Sequence, residues 1–163
     1  MTRQSSAPRQ FWLMKSEPDE VSIDDLAAAP GQSTPWFGVR NYQARNFMRD
    51  DMRLGDRAFF YHSSCPEPGI AGIVKISAVA HPDATQFDSK SPYYDPKSTR
   101  AAPRWVNVDV KFIEKTRLIS LSELRMNPEL ANLRILQRGN RLSITPVEPA
   151  EWAFIVALAQ SGP

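Results

Sequence analysis

The stretch Trp105-Val106-Asn107-Val108-Asp109-Val110-Lys111-Phe112-Ile113 alternates apolar and polar side chains with a period of two. Successive strand residues point to opposite faces, so the pattern specifies an antiparallel strand with one dry face and one wet face. Working outward, Arg57-Ala58-Phe59-Phe60-Tyr61-His62 reads as an aromatic strand after the turn Leu54-Gly55-Asp56, and Ile70 to Val79 as a second β-rich run. Phe11-Trp12-Leu13-Met14-Lys15 is a short buried strand halted by Ser16-Glu17-Pro18, and Arg141 to Val147 is a short extended piece.

Helices sit between and after these strands. Ser22, with Asp25 three residues on, has the form of a helix start, and that helix ends near Pro30-Gly31. From Asn41 to Asp51, Ala44, Met48 and Met52 share one stripe and Arg45 and Arg49 the next. Ser120 to Met126 reads as a short helix, and Pro149 with Glu151, Trp152, Ile155, Val156 and Ala159 as a terminal one. No regular βαβ alternation occurs, which excludes a doubly wound sheet. The expected class is α+β: a small mixed or antiparallel sheet, forming a partly closed barrel and flanked by helices. Residues 1–10 are polar and read as a disordered N-terminal tail ahead of a single domain over 11–160.

The 163 residues suit one domain, with 42% hydrophobic and 23% charged residues as in an ordinary globular chain. No apolar run approaches a membrane span, and the first ten residues lack a secretory apolar stretch. A single cysteine, Cys65, forms no internal disulfide, and a reducing, cytoplasmic location with a monomeric state is expected. Net charge is only +2, so any anion-binding surface must come from local clustering. Five arginines fall between Arg40 and Arg57, offset in part by Asp50, Asp51 and Asp56. Lys90, Lys97, Arg100 and Arg104 occupy a proline-rich loop of over twenty residues. Its length and its aromatic residues, Phe87, Tyr93 and Tyr94, suggest a lid.

The most chemically loaded segment is Trp36-Phe37-Gly38-Val39-Arg40-Asn41-Tyr42-Gln43-Ala44-Arg45-Asn46. Aromatic faces stack on planar rings, guanidinium forks meet phosphates or base edges, and amides carry a donor and an acceptor together. The same residues are also compatible with a helix end around one buried tryptophan. Catalytic signals are weak. Cys65 lies near His62, but a strand-end histidine before Ser-Ser-Cys-Pro is more often a turn, and His81 has no metal ligand at suitable spacing. Gly69-Ile70-Ala71-Gly72 lacks the Lys and Ser/Thr of a phosphate loop. The inventory favours binding over turnover, with no metal and no cofactor.

Taken in order, several segments resemble the EVE domain family, small proteins of PUA-like fold related to the YTH readers of methylated adenine. They are Trp12 to Pro18, Trp36 to Asn46, Gly55-Asp56 through Ser63, Pro68 to Gly72, Tyr94 to Lys97, Pro103-Arg104-Trp105, and Gln137 to Val147. The resemblance runs from Phe11 to Ala159. It implies a pocket for a modified nucleobase, a modified cytosine or adenine, flipped from DNA or RNA. By similarity Trp36 forms one wall, Lys15 and Ser16 present polar groups, and Asn41, Tyr42 and Asn46 line it. His62 and Ser63 come from a neighbouring strand end, and Arg141, Leu142 and Ser143 close a side. The second wall is Tyr93 or Tyr94 of the lid, or Trp105. Arg40, Arg45, Arg49, Lys97, Arg100 and Arg104 are expected on the nucleic-acid backbone, and Trp36→Ala is expected to abolish base binding with the fold intact. Two other readings compete: a nucleotide-binding adaptor, and a nuclease or hydrolase using His62 and Cys65.

Overall fold

The computed structural model describes residues 9–161, so residues 1–8 of the expected tail lie outside the described residues. Among the described residues there are six strands, β1 (Phe11–Ser16), β2 (Ser33–Pro35), β3 (Arg57–His62), β4 (Gly69–Pro82), β5 (Val106–Ser120) and β6 (Ile144–Val147). Four α-helices accompany them there: α1 (Ile23–Ala28), α2 (Tyr42–Asn46), α3 (Leu121–Arg125) and α4 (Pro149–Gln160). The strands form one mixed sheet in the order β2-β5-β4-β3-β1-β6. Only β1 and β3 are parallel, Phe11 facing Arg57 and Ser16 facing His62; the other pairs are antiparallel. The edges β2 and β6 do not pair with each other, so the α+β class holds while the expected barrel closure has no counterpart in the hydrogen bonding.

The sheet is covered on both faces, which explains why β1 and β3 are continuous apolar runs. Trp12, Met14, Ala58, Phe60, Val74, Val108 and Val110 face Ile23 and Leu26 of α1 and Ala44 of α2. Leu13, Phe59, Ile70 and Ile119 face Leu124 of α3 and Trp152 and Ile155 of α4. Trp152 is sandwiched between Phe11 and Phe59, at centroid distances of 4.5 and 4.0 Å. Since parallel neighbours require a long crossover, the chain leaves β1 through α1, reaches the far edge at β2 and returns through α2 to β3. That excursion lays residues 33–41 across one end of the sheet.

Local chemistry accounts for most boundaries. Ser22 and Asp25 form the expected capping box on α1, and Ser120 caps α3. Pro149 starts α4, where Glu151 accepts from the Glu148 N–H. The expected helix over 41–51 is not uniform. Asn41 caps α2, and Phe47–Asp51 then widens into a π-turn closed by the Met52 N–H on the Phe47 carbonyl. Ala44, Met48 and Met52 are buried along the expected stripe. At the other end of the excursion, Asp56, buried, accepts from the Trp12 indole, the Gln10 N–H and the Arg53 N–H, tying the start of β1 to the turn before β3.

A Cβ at Gly72 would stand 2.5 Å from Ile23 Cδ1 and 2.8 Å from the Glu114 carbonyl oxygen. The close seating of α1 on β4 therefore depends on a bare α-carbon, and Gly72→Ala is expected to destabilise the fold by about 1–3 kcal/mol through overpacking. Urea denaturation of the two proteins measures the difference.

Candidate functional site

A cleft of about 370 Å³ opens where β1 and β3 end, roofed by the 34–40 segment. Its walls fall into three groups. Lys15, Ser16 and Ser63 come from the strand ends, with Arg141 and Ser143 from the segment before β6. Thr34 to Arg40 supply a second side, and Glu17, Glu20, Val21 and Tyr93 close the rest. Because β1 and β3 run parallel, both chains leave the sheet at the same end, and the Ser63 N–H donates to the Ser16 carbonyl across the gap. The Lys15 N–H donates to the Ser143 carbonyl, fixing the third segment alongside.

The structure brings six of the expected base-binding residues to this cleft: Lys15, Ser16, Trp36, Ser63, Arg141 and Ser143. Trp36 is both wall and core. The residue is 7% exposed, its backbone N–H donates to the Val108 carbonyl, and its ring meets Phe60 edge-on at 5.5 Å. The expectation that Trp36→Ala leaves the fold intact is therefore corrected, since such a deletion empties core volume at a cost of about 3–5 kcal/mol. Lys15 is half-buried, and burial pushes its ammonium below the ordinary lysine range. That ammonium has no hydrogen-bond or ion-pair partner among the described residues.

The other expected residues are held elsewhere. Asn41 accepts from the Ala44 N–H as a helix cap, and Asn46 accepts from the Arg45 guanidinium. Tyr42 stacks on Trp105 at 4.8 Å with the Arg45 guanidinium 4.6 Å from its ring and 5.9 Å from that of Trp105, away from the cleft lining. Trp105 is buried and donates its indole N–H to Asp95. Leu142 lines a second, shallower groove. Of the lid tyrosines, Tyr93 reaches the cleft while Tyr94 is exposed outside it. His62 Nε2 accepts from the Ile23 N–H, so it serves as an anchor for the start of α1. With that lone pair occupied and the proton on Nδ1, the imidazole has no free base to activate Cys65, which removes the motivation for the hydrolase reading.

In the expected backbone-contact set, several guanidiniums are engaged by groups of the protein itself. Arg40 spends all five of its donors inside the protein: two on the Tyr93 carbonyl and one each on the Val39 carbonyl, Asp83 and Thr85. Arg45 donates to Asn46 and the Arg104 carbonyl, Arg49 pairs with Asp50, and Arg104 lies 3.8 Å from Asp95. Arg100 stands over the Phe87 ring. Lys97 donates its backbone N–H to Asp95 and lies outside the cleft lining.

Asp83, overlooked in the sequence, organises this network. Its side chain is fully buried and accepts from the Gly38 N–H, the Arg40 guanidinium, and the Thr85 N–H and hydroxyl. Burial alone would raise its carboxyl, but the bonds from Thr85, Gly38 and Arg40 outweigh that and hold it below the ordinary range. The only local signal was Asp-x-Thr after a proline, an Asx-type turn whose long-range partner lies 45 residues away. Tyr93 then packs on Gly38, whose φ of +86° and bare α-carbon leave room for the ring. The Tyr93 hydroxyl donates to Glu20 at 2.7 Å, and its pKa is pushed up to about 12, first by burial and then by that bond.

Comparison with known proteins places this geometry among relatives. The EVE domain profile matches residues 10–158. Thymocyte nuclear protein 1 of Gallus gallus is 48% identical, covering 93% of this chain and 69% of the relative. A Pseudomonas putida protein of known crystal structure is 51% identical with a TM-score of 0.87, covering 91% of this chain and 99% of that one. The human THYN1 protein in complex with 5-methylcytosine-containing DNA superposes with a TM-score of 0.87 at 46% identity, over 94% of this chain and 99% of that one. The relatives' name corrects one expectation: a cytoplasmic location, inferred from cysteine usage and a polar start, is overturned by proteins designated nuclear. Among the described residues no helix is long and apolar enough to cross a membrane.

Two stability predictions follow from the buried groups. Asp83→Ala, which leaves Arg40 and Gly38 without their acceptor, is expected to cost about 3–5 kcal/mol and Asp83→Asn about 1–3, measured by chemical denaturation at neutral pH. For His62, burial lowers the folded-state pKa below the ordinary 6.5, so the unfolded chain binds the proton more readily. Its contribution is present above pH 6.5 and lost as pH falls through the folded value. Denaturation midpoints measured from pH 7.5 to 5 are expected to decline, and the decline is expected to be shallower in His62→Asn.

Proposed function

This chain belongs to the EVE domain family, and we propose that it is a non-enzymatic module that takes a modified base, foremost a 5-methylcytosine flipped from DNA, into the Lys15–Trp36 cleft. The observation that carries the reading is a base-sized slot with an indole wall on one side and an unpartnered, half-buried ammonium on another. The relative bound to 5-methylcytosine-containing DNA supports the choice of ligand. Domain bounds of 11–160 are part of the same reading.

The energetics assign the parts. Flipping a base costs a few kcal/mol, and stacking on one aromatic returns about 1–3 kcal/mol. Hydrogen bonds to the base edge must supply the rest. Cytosine offers carbonyl and ring-nitrogen acceptors and an amino donor. Lys15 and the serines at 63 and 143 meet the acceptors, and the Glu17 carboxylate takes the amino group. Val21, Pro35 and Val39 provide an apolar side for the methyl, a contact worth about 1–3 kcal/mol and therefore a modest preference over plain cytosine. Tyr93, latched to Glu20, bounds the slot opposite the strand ends.

The test is binding of oligonucleotides carrying one 5-methylcytosine or one cytosine, followed by fluorescence anisotropy. Trp36→Leu keeps an apolar side chain in the core while removing the stacking face, and is expected to weaken binding of the methylated strand by about 5- to 150-fold, equivalent to 1–3 kcal/mol. Lys15→Met is expected to weaken it as well. Folded variants with unchanged Kd would remove these residues from the site, and equal affinity of the natural chain for both strands would remove the methyl from the reading.

A further inference from the structure

Beside the cleft lies a second groove of about 290 Å³, formed largely by the 134–142 loop. Three guanidinium groups line it, Arg134, Arg138 and Arg141, and no carboxylate does. All three are exposed, and among the described residues none has an ion pair, a hydrogen bond from its side chain or a ring to lie on. That sets them apart from Arg40, Arg45, Arg49, Arg104 and Arg117, each of which is spent on an internal acceptor. The loop is nonetheless stiff. Gln137 donates to the carbonyls of Ala131 and Leu133, Asn140 donates to that of Arg134 at 2.6 Å and accepts from the Leu142 N–H, and Gly139 turns at φ +78°.

Arg141 lines both the groove and the cleft, so the two lie side by side. A base seated in the cleft leaves its own strand emerging at the mouth, with phosphates on either side. We infer that the 134–142 loop is the phosphate track of this protein: Arg134, Arg138 and Arg141 bind successive phosphates of the strand that carries the flipped base. This role replaces the one expected for Arg40 and its neighbours, and it rests on the reading of the cleft as a base-binding slot. Unpaired guanidiniums in a preorganised loop suit it because each forms charge-assisted, forked bonds to phosphate with little ordering left to do.

The experiment uses the full chain, an oligonucleotide with a central 5-methylcytosine, and the free 5-methyl-2′-deoxycytidine nucleoside, which has no phosphate. Binding to each is measured from 50 to 300 mM salt for the natural protein and for Arg134→Gln/Arg138→Gln, whose exposed sites leave the thermal midpoint as a folding control. The slope of log K against log salt is expected to become shallower by about 1.4–1.8 in the double variant, since each lost phosphate contact removes about 0.7 on a single strand and 0.9 on duplex DNA. Nucleoside affinity is expected to stay the same. An unchanged slope overturns the phosphate track, as does a natural protein that binds no oligonucleotide. A natural protein that binds no nucleoside, with an altered slope in the double variant, overturns the base reading and leaves the track in place.

Discussion

The Asp83 carboxylate is the constraint on which the functional end of the molecule depends. The 34–40 segment has little sheet pairing of its own beyond β2, and the proline-rich loop after β4 has none until β5 begins. A buried charge that accepts from Gly38, Arg40 and Thr85 joins them. Removing a charged group from water is costly unless nearly every lone pair is met, and here four donors converge on two oxygens. The arrangement leaves few alternatives: the loops meet at this spot with this geometry, and Trp36 and Tyr93 are placed as a result.

This explains a division of labour among the basic residues. A cluster of cations in sequence does not define a cationic surface, because a guanidinium at the edge of a fold is as useful for stapling loops as for meeting an anion. Arg40 and Arg45 staple. The 134–142 arginines are left to solvent by a loop that uses amide side chains, not charges, for its own rigidity.

What was readable in the chain follows the range of the interactions. Arg57–His62 emerges with its bounds unchanged because its aromatic run is buried on both faces. Capping at Ser22 and the Ala44–Met48–Met52 stripe were local and could be read directly. β4 and β5 extend past their expected limits, to Pro82 and Ser120, because four register shifts between them break the alternation that marked them. Part of the expected set converges on one cleft: Lys15, Ser16, Trp36, Ser63, Arg141 and Ser143. Asn41, Tyr42, Asn46 and His62 lie outside the cleft lining because each engages a neighbour whose proximity or geometry appears only after folding. Asp83 was invisible for the same reason, its principal partner being distant in sequence.

The parallel pairing of β1 and β3 has an evolutionary corollary. Two adjacent strands that exit together deliver their following peptides to one place, and residues 17–20 and 63–64 of those peptides are outside the hydrophobic layers that stabilise the sheet. Changes at these positions fall on the mouth of the cavity more than on the core. Ligand preference in this architecture is therefore tuned at the exits, a handful of positions mounted on a packed frame that need not be rebuilt with them.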